Sequence, residues 1–324
     1  MRAVVLESYG GPEVLTLRDV PDPVPGPDEV VVEVVSTALN RADILQRKGG
    51  YPGPPMAQEI PGLELAGRVA ALGERATAWS IGDPVMGIVG GGAYAERVVV
   101  HERQLVRVPD ALPLDDAGAV PEVFLTAWDA MVLQGGLVPG GTVLVHAGAS
   151  GVGTAAIQFV KAIGGRVIVT ASAGKLDACR ALGADVAVDY ASEDFVAAAR
   201  DLTGGAGVDV VLDLVGGDYL ARNLEAVRVL GRIVLVGLTG GASTTMPLGL
   251  LLTKRISLTG TVLRSRPLEE KLAVTQRFGR EVLPFLASGA VRPVIDSRYA
   301  LADVADAHRH METNANVGKI VLSI

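Results

Sequence analysis

"VLVHAGASGVGTAAIQFVKAIGG", Val143 to Gly165, decides the fold of this chain. An apolar run leads straight into Gly148-Ala149-Ser150-Gly151-Val152-Gly153, and an amphipathic segment of helical spacing follows without a break. Glycine lets a backbone approach a pyrophosphate, and a helix N-terminus presents free N–H groups with a partial positive charge. Against the spacing G-x-G-x-x-G the middle glycine is replaced by Ser150, whose hydroxyl can still donate to a phosphate oxygen. By itself a glycine triplet is only a tight turn before a helix. The strand before it and the helix after it turn the reading towards a dinucleotide loop.

Working outward, apolar strands alternate with helices of ~10–15 residues, the rhythm of βαβ units. Strands are expected at Thr142–Ala147, Arg166–Ala171, Val186–Asp189, Val208–Leu214, Arg232–Val236 and Ile256–Thr261. Helices are expected at Gly151–Ile163, Gly174–Leu182, Ser192–Leu202 and Tyr219–Val229. Together they make an α/β, doubly wound Rossmann domain with a six-stranded parallel sheet over 121–264. The segment 1–120 differs. "EVVVEVV" (29–35), "ELAGRVAAL" (64–72) and "AERVVV" (95–100) are β-rich and separated by turn clusters such as "YPGPP", which predicts a compact antiparallel barrel. In the tail 265–324, "SRPLEEKLAVTQRFGREVLPFLASG" reads as a helix and "GKIVLSI" as a strand returning to the barrel.

Composition narrows the function. Lys plus Arg is 29 against 36 Asp plus Glu, a net charge of −7, so a nucleic-acid backbone is not the expected partner. The apolar region Ala117–Ala149 is interrupted by Glu122, Asp129 and Gln134, and no run reaches the ~18 residues of a membrane span. The N-terminus alternates like a strand and lacks a signal-peptide pattern, so a cytoplasmic location is expected. Cys179 is the single cysteine, which excludes an intrachain disulfide and a cysteine-rich zinc site; helix packing is its expected role.

The end of the second strand selects the cofactor. NAD-binding loops place an acid there for the ribose 2′-hydroxyl. Here "VIVTASAGKL" carries no acid, and Ser172 and Lys175 suit a 2′-phosphate, which predicts NADP(H).

With these segments placed, the chain resembles the zinc-independent quinone oxidoreductase (zeta-crystallin-like) subfamily of the medium-chain dehydrogenase/reductases over nearly its full length. The resemblance rests on "GGPEVL" (10–15), "ALNRADILQRKGGYPGPP" (38–55), "PGLELAGRVAALG" (61–73), "IGDPVMGI" (81–88), "PEVFLTAWDAM" (121–131), "HAGASGVGTAAIQ" (146–158) and "NVGKIVL" (316–322). It implies a GroES-like catalytic domain flanking the Rossmann domain, with the nicotinamide in the cleft between them. Ser150, Gly151, Val152 and Gly153 would contact the pyrophosphate, and Ser172, Lys175 and Tyr190 the 2′-phosphate. Asn40, Tyr51 and Thr126 would lie near the nicotinamide as catalytic candidates. Gly237 and Leu238 of "VGLTGG" and Leu263 and Arg264 of "TVLRSR" would add backbone contacts, and Lys319 a charge near the cofactor. A homodimer, joined at the edge strand near Ile256–Thr261, is implied as well.

No metal is expected. His101, His146, His308 and His310 lack ligand spacing: His308 and His310 read as solvated charge, and His146 as a strand residue with a backbone partner. In the resemblance, the first zinc ligand corresponds to Asn40 and the second to Leu63. Without a Lewis acid, the acceptor must take hydride readily by itself, as a quinone or similar conjugated carbonyl does. The predicted reaction is hydride transfer from NADPH to such a small molecule, with a hydrogen bond from Tyr51 or Asn40 to the developing oxyanion. Rival readings are an enoyl-thioester reductase and a weakly catalytic NADPH-binding protein of the crystallin or RNA-binding kind. Glu64, an acid inside an apolar strand, is expected to be partly buried and paired, with an arginine as the natural partner.

Overall fold

The computed structural model describes residues 1–51 and 53–324; Pro52 of the "YPGPP" turn lies outside the described residues. The chain divides into two compact units, Met1–Leu125 with Arg264–Ile324, and Thr126–Leu263. In chain order the strands are β1 (Arg2–Leu6), β2 (Leu15–Asp19), β3 (Glu29–Ala38), β4 (Glu64–Leu72), β5 (Pro84–Ile88), β6 (Arg97–His101) and β7 (Leu105–Arg107). They continue as β8 (Thr142–Val145), β9 (Arg166–Ala171), β10 (Val186–Asp189), β11 (Val208–Asp213), β12 (Val227–Leu235), β13 (Ser257–Gly260), β14 (Ile295–Ala300) and β15 (Lys319–Ser323).

In the second unit, β8 to β13 form one six-stranded sheet in the order β10-β9-β8-β11-β12-β13, every neighbouring pair parallel. That is the doubly wound order, reversing between β8 and β11, where ligands of such sheets bind. A parallel sheet is covered on both faces, so its strands read as continuous apolar runs. Val143–Val145, Val167–Val169 and Val210–Leu212 are all buried accordingly. Several boundaries differ from expectation, two of them with a visible backbone cause. β8 stops at Val145 because Ala147 adopts φ 54 and turns the chain out of the strand. The helix Tyr219–Ala226 ends three residues early, and Val227 already pairs as strand; Leu230 takes φ 60, and the β11–β12 register shifts between Val208 and Val210.

In the first unit, β3 is long enough to pair with β6 along Glu29–Glu33, with β15 along Ser36–Ala38 and with β4 on its other edge. The seven-stranded sheet runs β14-β15-β3-β4-β5-β7, with β6 on β3. The pairs are antiparallel except β14–β15, which is parallel, a departure from the fully antiparallel barrel. Gly67 sits beside the register shift between Val34 and Ser36, where a Cβ would come 2.0 Å from Glu33 O, so only glycine fits there. The tail helix breaks into Leu268–Glu281 and Leu283–Ala287. Pro284 lacks an N–H and its ring clashes with the preceding turn, which ends the first helix.

Candidate functional site

The phosphate loop is shaped by its own short-range bonds. Gly148 N donates to Thr170 O at 2.8 Å, and Ser150 caps the helix Gly151–Ala162 by accepting from Gly153 N at 3.1 Å. A Cβ on Gly153 would lie 2.4 Å from Ala147 O, so the close turn requires glycine. The amides of Gly151 and Val152, both half-buried, have no acceptor within the helix. They and the Ser150 hydroxyl proton are therefore available to an anion.

Ser172, Lys175 and Tyr190 come together at the C-terminal ends of neighbouring strands. Ala171 pairs with Asp189, Tyr190 N donates to Ala171 O at 3.2 Å, and Lys175 N to Ser172 O at 2.9 Å. Tyr190 is exposed, and Ser172 and Lys175 are half-buried. Asp189 and Glu193 are engaged in their own turn, Asp189 with Ala191 N and Ser192 Oγ, and Glu193 with Asp189 N. The amide of Gly237 donates to Asp213 O at 3.3 Å, Leu238 is half exposed, and Leu263 is buried. His146 corrects one expectation: its buried ring reaches two side chains, Thr170 Oγ1 at 3.0 Å and Asn223 Oδ1 at 2.7 Å, not a backbone partner. Asn223 in turn donates to buried Asp213, whose Oδ1 holds the amides of Val215 and Gly216. Cys179 is buried in the helix Leu176–Ala181, its thiol pushed up to about 11 mainly by burial.

The first unit holds a buried charge cluster. Lys319 Nζ, 3% exposed, donates to Leu39 O at 2.7 Å, Asn40 Oδ1 at 2.6 Å and Glu64 Oε1 at 2.7 Å. An ammonium has three donors. All three are committed inside this unit. Glu64 is fully buried and its cation is Lys319, not an arginine. Its Oε1 also accepts from Asn40 Nδ2 at 2.9 Å, and its Oε2 from the amide of Glu122 at 2.8 Å, at the start of the helix Pro121–Trp128. Asn40 Nδ2 donates to Ala38 O at 3.2 Å as well, so both amide hydrogens are occupied. In this arrangement Asn40 has no amide hydrogen left over for an oxyanion.

Asp43, fully buried on the helix Arg41–Arg47, accepts from Asn40 N at 2.7 Å and Tyr94 Oη at 3.1 Å on Oδ2. Its Oδ1 has no partner among the described residues, and burial pushes the carboxyl up to about 6. Glu122 is half-buried; burial first, then the charge of Glu64, pushes it up to about 8. Tyr51 is half-buried under Arg264, whose guanidinium lies 4.8 Å from the ring centroid. Arg264 also donates to Tyr51 O, Gly90 O and Gln46 Oε1, tying two loops together. Thr126, buried, belongs to the second unit.

His308 is fully buried rather than solvated. Its ring lies between Arg47 Nη1 and Tyr94 Oη, each 3.4 Å away, and burial with the Arg47 charge holds it down to about 3. Glu312 pairs with Arg47 at 2.7 Å, and that hydrogen bond holds its carboxyl at about 2. Sequence reasoning missed Asp43, Tyr94, Glu122 and Asp213. Glu122 gave a signal, but an acid just after a proline at a helix start reads as an ordinary complement to the helix dipole. At the positions matched to zinc ligands, Leu63 is buried and has no donor atom, and the Asn40 oxygen faces the Lys319 ammonium. Among the described residues no group of three or more His, Cys, Asp or Glu side chains could hold a metal ion.

Comparison with known proteins agrees with this architecture. The family described as "Alcohol dehydrogenase GroES-like domain" matches residues 26–110, and that described as "Zinc-binding dehydrogenase" matches residues 182–322. A quinone oxidoreductase of Pseudomonas aeruginosa is 35% identical, with 99% of each chain covered. The crystal structure of Escherichia coli quinone oxidoreductase complexed with NADPH superposes with a TM-score of 0.89 at 30% identity, covering 100% of both chains. A structure described as an NAD-dependent alcohol dehydrogenase superposes with a TM-score of 0.87 at 34% identity, again covering 100% of both.

Proposed function

We propose a function from one premise: the chain belongs to the quinone oxidoreductase family of the medium-chain dehydrogenase/reductase superfamily. It is an oxidoreductase of that superfamily that uses a nicotinamide cofactor, and our reading is that it transfers hydride from NADPH to a quinone or similar conjugated carbonyl without a metal. One observation carries the cofactor choice: β9 ends at Ala171 with no acid there, and Ser172, Lys175 and Tyr190 gather beside that end. Bound there, the cofactor would supply the hydride. Gly151, Val152 and Ser150 would hold its pyrophosphate at the helix N-terminus, and Lys175 its 2′-phosphate.

The choice of acceptor follows from the residues around Asn40. Leu63 offers no ligand and the Lys319 ammonium occupies the oxygens of Asn40 and Glu64, so a second cation there would meet strong repulsion. A quinone or conjugated carbonyl delocalises the incoming charge onto a distant oxygen and needs no Lewis acid. Tyr51 is half-buried, its hydroxyl has no partner among the described residues, and it would hydrogen-bond that oxygen. NADPH consumption with 1,4-benzoquinone tests the proposal. Turnover well above background supports it, and tight NADPH binding without turnover replaces it with a binding role.

The assembly we propose is a homodimer through β13, which pairs with β12 on one edge only. Leu258 on that strand is 38% exposed, and Leu248 and Leu252 on the preceding helix are 59% and 74% exposed. A free strand edge beside exposed leucines calls for a partner. Light scattering that returns the mass of one chain at micromolar concentration contradicts the dimer.

A further inference from the structure

Three carboxyl groups of the first unit, Asp43, Glu64 and Glu122, gather around one buried ammonium, Lys319. Glu64 takes that ammonium at 2.7 Å, which makes it the anion of the group. Asp43 keeps hydrogen bonds from Asn40 N and Tyr94 Oη on its Oδ2. Glu122 differs: its backbone is pinned by Glu64 Oε2, while its carboxyl receives no hydrogen bond among the described residues.

The groups that face Glu122 come from five segments besides its own helix. Glu64 on β4 and Asp43 on the helix Arg41–Arg47 are acids, and Lys319 on β15 is the cation already committed to Glu64. Arg264 follows the second unit in the chain and is occupied with Gly90 O, Tyr51 O and Gln46 Oε1. Tyr51, on the loop after the helix Arg41–Arg47, feels the Glu122 charge in turn. A second carboxylate beside Glu64 with no donor of its own is costly, and taking up a proton removes that cost. Glu64 and Asp43 are sealed from solvent, whereas Glu122 is half-buried and reachable. Burial and the Glu64 charge push its carboxyl up to about 8, so it carries a proton at neutral pH.

We propose that Glu122 is the proton donor of the reaction, its neutral carboxyl protonating the acceptor oxygen beside Tyr51. The inference rests on the hydride-transfer reading above. A bound reduced nicotinamide would supply the hydride with its two electrons, and the negative charge would collect on the acceptor oxygen. There an O–H bond forms as the O–H bond of Glu122 breaks, and water then reprotonates the carboxylate. Glu64 and Lys319 are positioning residues in this account: they fix the start of the helix that carries Glu122 and keep the negative charge beside it.

The test compares wild type, Glu122→Gln and Glu122→Asp with NADPH and two acceptors, 1,4-benzoquinone and but-3-en-2-one. General acid catalysis contributes about 100-fold or more, so Glu122→Gln should lose about that factor in kcat with the enone, with KM for NADPH unchanged. Wild-type kcat should fall as pH rises through about 8 and show a solvent deuterium effect. Glu122→Gln should show neither, and Glu122→Asp should restore the pH dependence. A kcat within twofold of wild type with the same pH profile in Glu122→Gln overturns the donor role. Infrared spectroscopy reads the proton without turnover: a protonated-carboxyl band at pH 7 that is absent in Glu122→Gln supports the assignment, and its absence in wild type overturns it. A wild type that turns over neither acceptor overturns the hydride-transfer reading as well, while the infrared band still reports whether Glu122 holds its proton.

Discussion

The phosphate loop and the buried charge cluster are built in opposite ways. The loop is contiguous: Ser150 caps Gly153, and the strand and helix that aim it flank it directly. In the cluster, Lys319 meets Asn40 across 279 residues and Glu64 across 255. Local spacing therefore dictates the first, while the second exists only once β15 has paired with β3 and β3 with β4. Substitutions in the loop should act first on cofactor binding, and those at Lys319 and Glu64 first on stability. A loop substitution that leaves cofactor binding intact, or a change at Lys319 or Glu64 that leaves stability intact, breaks the comparison.

The largest effect is expected at Lys319. Lys319→Met leaves Glu64 as a buried charge without its cation, which costs about 3–5 kcal/mol. Urea unfolding followed by circular dichroism measures it, and an unchanged midpoint means the cluster is not the brace described above. A double-mutant cycle with Glu64→Gln sharpens the point, because removing both charges should cost less than the sum of the single changes. Next comes Lys175→Ala. Loss of a hydrogen bond to a charged group, about 1.5–3 kcal/mol, should weaken NADPH binding roughly 10- to 100-fold and leave NADH unchanged. Calorimetric titration of both cofactors checks it, and equal loss for both removes Lys175 from the 2′-phosphate.

A smaller effect belongs to Ser150→Ala. Loss of the helix cap costs about 1 kcal/mol, read in thermal unfolding, with weaker binding of either cofactor. A different kind of effect is a pH slope. The folded Glu122 pKa is raised from 4.5 to about 8, so between those values the unfolded chain gives up its proton first and stability falls as pH rises. Glu122→Gln should flatten part of that slope. Asp43, raised from 3.8 to about 6, slopes the same way and should persist below pH 6 in the variant. Thermal midpoints from pH 5 to 9 that run parallel in the two proteins contradict this assignment.

Legibility in the sequence follows the same division. β9 and β10 carry their predicted bounds, because a strand buried on both faces is a run of apolar residues bounded by polar ones. The strand, turn and helix of residues 142–162 are legible for the same local reason. β12 begins five residues before the Arg232 that its apolar pattern suggests, since the bend at Leu230 and the register shift against β11 depend on strand pairing, not on local pattern. Glu64 declared itself as an acid in an apolar strand, but its partner did not. Any of the 29 basic residues could have served, and only the β15–β3–β4 arrangement selects Lys319. The burial of His308 is hidden from the sequence for a related reason. Its helix carries polar neighbours in sequence, and the burial comes from Arg47 and Tyr94, far away in the chain.

The central claim is that the end of β9 selects a 2′-phosphate, and the ratio of kcat/KM for NADPH to that for NADH, with 1,4-benzoquinone at saturation, tests it most directly. The charge-assisted contact predicts a preference for NADPH of about tenfold or more. An equal or higher kcat/KM with NADH contradicts it.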